Sequence, residues 1–180
     1  MSQEHLRAKI GFVPQKSMLF SGTIAENIRY GKDDASGEDV NHAAEVAQAT
    51  EFILEMKDGF DAVIAQGGTN VSGGQKQRLS IARALVRKPE ICIFDDSFSA
   101  LDFKTDARLR VALKEEIRDS TVLIVSQRVS TVMDADQIIV LEDGHIADIG
   151  THRELMRTSE AYREIVSSQL SVAELAEEIA

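Results

Sequence analysis

The sequence has 180 residues, about one domain's worth, and its 43% hydrophobic and 28% charged residues suit a buried core rather than a disordered chain. The 30 Asp and Glu against 20 Lys and Arg give a formal charge of −10, which phosphate backbones repel, so non-specific nucleic-acid binding is disfavoured. Apolar runs such as Val122–Val125 are strand-sized against the ~20 residues of a membrane span, no apolar stretch follows the N-terminus as in a signal peptide, and a lone Cys92 allows no internal disulfide.

In chain order, Lys9–Pro14 reads as a short strand ended by proline. Thr23 with Glu26 forms a capping box that opens a short helix closed by Gly31. Ser36 with Asp39 starts a second helix, in which Val40, Ala43, Ala44 and Ala47 recur at helical spacing. Phe52, Ile53 and Met56 suggest a third, stopped at Asp58-Gly59, so residues 23–58 form a small helical block. A longer helix is predicted over Gln75–Arg87, preceded by Ser72-Gly73-Gly74 and stopped by Pro89.

Ile91–Phe94 is an uninterrupted apolar run, which fits a strand covered on both faces, and it ends in Asp95-Asp96. A helix over about Thr105–Ile117 and a second buried strand over Thr121–Val125 follow, and this alternation predicts an α/β fold with crossover connections. Gln137–Glu142 and His145–Gly150 flank Asp143-Gly144, a hairpin signal. Thr151 with Glu154 caps another helix, and Ala161–Ile179 reads as one or two terminal helices.

Two of these segments carry chemistry. Ser72-Gly73-Gly74-Gln75 at a helix start leaves N–H groups without Cβ atoms in the way. The helix dipole adds about half a positive charge there, which suits a phosphate, although an ordinary serine N-cap would look the same. Asp95-Asp96 at the carboxyl end of a strand lies where open α/β sheets bind ligands, and one such carboxylate can hold Mg²⁺ on a nucleotide phosphate. Two solvated loop acids remain the plainer alternative.

The run VSGGQKQRLSIARALVRKPEICIFDDSFSALD resembles the nucleotide-binding domain of ABC transporters. Ser72–Gln75 matches the family's signature motif, Ile91–Asp95 its Walker B strand and Ser99–Asp102 its D-loop. Gly11–Gln15 followed by Leu19–Ile24 is similar to the Q-loop of the exporter subgroup, and Thr121–Thr131 to the H-loop region. The resemblance implies an ABC-ATPase fold, P-loop NTPase-like, with a parallel sheet and a helical subdomain. The expected division of the partial domain is about 16–80 for the Q-loop, helical subdomain and signature helix, 81–155 for the Walker B, D-loop and H-loop core, and 156–180 for C-terminal helices. It further implies ATP and Mg²⁺ as cofactors, bound by Gln15, Ser72, Gly73, Gly74, Gln75, Asp95 and Asp102, with Gln15 and Asp95 facing the metal. Implied partners are a second nucleotide-binding domain and a transmembrane permease domain, with no nucleic acid, at the cytoplasmic face of a membrane.

Three departures from the family pattern stand out. No Gly-x-x-x-x-Gly-Lys-[Ser/Thr] loop is present, and Met1–Arg7 reads as the middle of a domain, so the N-terminal part is expected to be missing. With that part absent, the strands at 91–94 and 121–125 should lack cover on one face. Asp96 stands where the family usually has Glu, and Gln127 where the H-loop has His; these are the two candidate catalytic positions. Asp is one methylene shorter, and a neutral amide cannot become a cation. Together they point to the degenerate half of a heterodimeric exporter, whose intact signature completes the partner's ATP site. The alternatives are a soluble ABC-type ATPase without transport and a non-functional gene fragment.

Overall fold

The computed structural model describes residues 1–169 and divides the chain into two compact units, Met1–Val125 and Ser126–Ala180.

The first unit opens with a helix the sequence reading did not contain, α1 (Gln3–Ala8), capped where the Ser2 side chain accepts from the His5 N–H. Strand β1 (Ile10–Val13) follows and ends at Pro14, as expected. A two-residue strand β2 (Gly22–Thr23) leads into the helical block: α2 (Ile24–Arg29), α3 (Gly37–Val46) and α4 (Thr50–Glu55). The capping box predicted at Thr23/Glu26 is formed, and the helix start predicted at Ser36 with Asp39 also proves to be a capping box. Asp39 also takes a hydrogen bond from Lys88, and with the Ser36 contacts this lowers its carboxyl to about 2. A 3₁₀ turn, Gly59–Asp61, leads to β3 (Val63–Ile64), which pairs antiparallel with β2, a pairing too short to leave a period in the sequence.

Helix α5 (Gly73–Leu85) starts two residues before its predicted position because the Ser72 hydroxyl caps it, and Val86 is its C-cap. Lys88 then takes a left-handed φ of 50° that turns the chain into β4 (Ile91–Asp95). Helix α6 (Phe103–Glu116) and strand β5 (Thr121–Val125) complete the unit. The sheet order is β1-β4-β5, all parallel, with Gly11, Cys92 and Val122 in register and Phe12, Ile93 and Leu123 beside them. This is the α/β architecture that the alternation predicted.

Its two faces differ. Val13, Cys92 and Phe94 are buried in one cluster with Leu79, Ile81 and Leu109, and burial raises the Cys92 thiol to about 11. On the other face Phe12 is 53% exposed, Leu123 50% and Val125 52%, while Ile91 and Ile93 are half-buried. The reading of two strands covered on both faces is therefore corrected: β4 is covered on one, and β5 is an edge strand with little cover. An apolar run reports that a strand belongs to a parallel sheet, not whether a layer is packed on each side. The narrower expectation of an uncovered face agrees with these exposures. Such a face should drive association. Light scattering on the chain is expected to show concentration-dependent oligomers that recede in a Phe12→Ser, Leu123→Ser double variant. A monodisperse parent with a sharp cooperative melt would contradict this.

The second unit holds a short helix α7 (Val129–Val132), a hairpin of β6 (Ile138–Glu142) and β7 (His145–Gly150), and helices α8 (His152–Thr158) and α9 (Glu160–Ser167). Asp143 and Gly144 both have positive φ, 48° and 78°, which the two-residue turn requires. Ile138 and Val140 bury one face of the hairpin against Leu155, Tyr162 and Val166. The Thr151/Glu154 capping box forms as expected. Helix α9 covers the start of the predicted 161–179 helical stretch, and residues 170–179 of that prediction lie outside the described residues.

Candidate functional site

Parallel pairing sets the carboxyl ends of β1 and β4 side by side, with Val13 opposite Phe94. Just beyond these ends, Gln15 donates from Nε2 to Asp96 Oδ2 at 3.2 Å, joining residues 81 apart in sequence. The Asp96 backbone is fixed on both sides: its N–H donates to the Val125 carbonyl at 2.8 Å, and its own carbonyl accepts from Ser99 Oγ at 3.0 Å. Its φ is 43°, the left-handed region, where Asp is several-fold enriched over most residues. This gives a local reason for aspartate at 96. The adjacent Ser97 is fully buried and donates to the Val13 carbonyl at 2.9 Å, which locks the end of β4 to the end of β1. Ser97 was missed because a lone serine after two acids carries no pattern.

Gln15, Asp95 and Asp96 therefore sit at one sheet edge and offer oxygen donors, the chemistry a hard divalent cation takes. Among the described residues no three His, Cys, Asp or Glu side chains form a metal cage. The set fits a Mg²⁺ whose remaining ligands are phosphate oxygens and waters, as is usual for that ion.

The Ser72–Gln75 segment forms the first turn of α5. The Ser72 hydroxyl accepts from the Gln75 N–H at 3.2 Å and Gln75 Oε1 accepts from the Ser72 N–H at 2.8 Å, a complete capping box. Both readings of this serine thus apply to one geometry, since a capped N-terminus still presents the dipole and the Gly73 and Gly74 amides. Gly73 is exposed, and a Cβ added there would meet nothing within 4 Å among the described residues. At Gly74 a Cβ would lie 3.2 Å from the Ala100 carbonyl oxygen, so this turn is seated on the 99–102 loop. Asp102 caps α6 by accepting from the Thr105 N–H at 3.0 Å, and that bond holds its carboxyl below the usual aspartate range. Arg78, one turn along α5, donates to the Gln48 carbonyl at 2.7 Å and stacks 4.7 Å from the Phe52 ring centroid. Its burial lowers the guanidinium, and the charges of Asp102 and Glu51 oppose that shift.

Gln127 lies in the second unit, exposed, with its carbonyl accepting from Gln169 Nε2 at 2.6 Å while Gln169 Oε1 accepts from the Val129 N–H at 2.9 Å. The 127–129 turn is thereby clamped by one amide side chain.

Residues 1–99 match the ABC transporter family model. The chain belongs to the ABC transporter family. This ABC transporter chain is 52% identical over 166 residues to the uncharacterized ABC transporter ATP-binding protein YfiB of Bacillus subtilis strain 168, covering 92% of the chain and 29% of the relative. It is 46% identical over 168 residues to YknU of the same organism, covering 93% and 29%. A solved bacterial Atm1-family ABC exporter with ATP bound superposes at a TM-score of 0.90 with 39% identity, over 93% of this chain and 30% of that one. The ABC chain thus spans under a third of the length of these relatives, and its fold is that of an ABC exporter's nucleotide-binding domain.

Proposed function

We propose that the chain is the ATP-binding part of an ABC exporter that couples ATP binding and hydrolysis to transmembrane transport. Its own site is degenerate, and its signature motif completes the ATP site of a second, different nucleotide-binding domain. A permease domain and that second domain are its partners, and it works at the cytoplasmic face of the membrane. About 16–80, 81–155 and 156–180 are assigned to its Q-loop and helical part, its core and its C-terminal part, of which 170–180 lie outside the described residues. The observation that carries this reading is the Gln15–Asp96 contact at the ends of adjacent parallel strands, at the ligand-binding edge of an open α/β sheet.

Magnesium bound with ATP neutralises phosphate charge and orients the γ-phosphate for in-line attack by water. Asp95 and Gln15 would face that ion. Asp96 would accept the proton of the attacking water, but its carboxyl is one methylene shorter than glutamate and is already engaged by Gln15. A misplacement of about 1 Å can cost on the order of 10²-fold. Gln127 can donate one hydrogen bond to a phosphate oxygen but cannot add a positive charge. Ser72, Gly73 and Gly74 would offer the α5 N-terminus to the nucleotide held by the partner.

The test is restoration. Asp96→Glu with Gln127→His, in the full-length protein assembled with its partner, should raise steady-state ATP turnover. Glutamate at 96 pays about 1 kcal/mol of backbone strain for its left-handed φ. No rise, with the double variant folded and assembled, would contradict the degenerate-site reading. Calorimetric titration of the 180-residue chain with Mg-ATP should show no saturation in the micromolar range, because its sequence contains no phosphate loop with its lysine. A micromolar dissociation constant would mean the residues described here suffice.

A further inference from the structure

The irregular segment after Gln15 is fastened to α5 rather than left to follow β1. Ser17 Oγ donates to Gln77 Oε1 at 2.5 Å. Arg83 donates from Nη1 to the Met18 carbonyl at 2.8 Å, from Nε to the Asn27 carbonyl at 2.8 Å and from Nη2 to Asn27 Oδ1 at 2.9 Å. Asn27 is 2% exposed and closes the ring: its Oδ1 accepts from the Phe20 N–H, and its Nδ2 donates to the carbonyls of Phe20 and Thr23. The guanidinium also lies 5.1 Å from the Phe20 ring centroid and 5.7 Å from that of Tyr30. One arginine fork thus fixes the segment's backbone at residue 18, its ring at 20 and helix α2 at 27.

Gln77 is 3% exposed and, among the described residues, its Nε2 has no hydrogen-bond partner. An apolar residue there would spare the unpaired donor, so the amide is explained by its bond to Ser17 rather than by stability.

We propose that Arg83 and Gln77 are positioning residues that join the Gln15 segment and helix α5 into one mechanical body, so that a change at Gln15 is carried to Ser72–Gly74. The consequence rests on the reading of Gln15 and Ser72–Gly74 as nucleotide-facing groups; the fastening itself does not. A small displacement of Gln15, transmitted through residues 17–20, moves the far end of a rigid 13-residue helix. The chain's own site and the partner's site are then coupled inside this subunit by a packed, hydrogen-bonded path.

Native-state hydrogen exchange on the 180-residue chain reads the fastening without reference to nucleotide. In the parent, the Phe20 amide and the α5 amides are expected to exchange with one opening constant and one denaturant dependence. Arg83→Met should speed Phe20 exchange by roughly tenfold or more while α5 changes less, since charged hydrogen bonds to the loop are lost. Arg83→Lys keeps the charge but not the fork and should separate them as well. If Arg83→Met does not fold, the milder Ser17→Ala with Gln77→Leu pair is read in the same way. A Phe20 amide that exchanges independently of α5 in the parent, or that no variant moves, overturns the proposal. In the assembled protein, Gln15→Ala should lower ATP turnover in the parent but by less than about twofold further in the Arg83→Met background, the signature of a shared path. Losses that simply multiply overturn the transmission. Joint exchange with no effect of Gln15→Ala in the parent overturns instead the assignment of Gln15 and the transmission built on it, and leaves the fastening in place.

Discussion

Gly73→Arg or Ser72→Arg is expected to abolish most ATP turnover of the assembled protein, by about 10²-fold or more, while Asp96→Asn changes it little. The asymmetry follows from the proposed division of labour, in which the α5 N-terminus serves the partner's competent site and Asp96 serves a site that is already slow. Gly73 is the cleanest probe. It is exposed, and among the described residues a Cβ there meets nothing within 4 Å, so an arginine is accommodated and obstructs what approaches from outside. Ser72→Arg also removes the N-cap, at a cost of about 1 kcal/mol. Gly74 is less suitable, because its missing Cβ already faces the Ala100 carbonyl at 3.2 Å, and a bulky residue would displace the 99–102 loop. Steady-state hydrolysis of the variants beside the parent decides the matter. If Asp96→Asn removes as much turnover as Gly73→Arg, Asp96 is a working base and the degenerate site is rejected.

Gly31→Val is expected to destabilise the first unit severely, by about 3 kcal/mol or more. A Cβ at Gly31 would lie 1.9 Å from the Arg83 carbonyl oxygen and 2.9 Å from Val86 Cγ1, and the first of these is backbone that cannot rotate away. Helix α2 approaches α5 so closely at its C-terminal end that only a hydrogen fits between them. The fall in melting temperature should be roughly 6–12 °C, at the 2–4 °C per kcal/mol expected for a chain of this size. Gly37→Ala is the control. At the start of α3 none of the described residues lies within 4 Å of an added Cβ, and its φ is not in the left-handed region, so alanine should be neutral or slightly stabilising. Equal melting curves for the two variants would show that the α2–α5 approach is looser than described. The Gly31 substitution also forces α5 away from the segment that Arg83 holds, so its Phe20 amide should lose protection along with its stability.

The sequence alone determined the features that short-range chemistry decides. A hydroxyl three residues before an acid or amide can satisfy two orphan N–H groups in only one local geometry, so the caps at Thr23, Ser36, Ser72 and Thr151 were legible. Asp143-Gly144 marked the hairpin because both positions need positive φ. The parallel sheet followed from the alternation of helices with apolar runs, and the ABC family from the order of its motifs. Tertiary structure decided everything that depends on what a residue meets far along the chain. Whether Ile93 and Leu123 are covered depends on a layer, not on their apolarity. The Gln15–Asp96 contact spans 81 residues and follows from strand register. The left-handed Asp96 comes from backbone bonds to Val125 and Ser99. Arg83 carries no signal of its own in the sequence. Only the arrival of the 17–27 segment brings Met18 and Asn27 to its three nitrogens, because a long side chain's partners are set by what the fold brings within its reach.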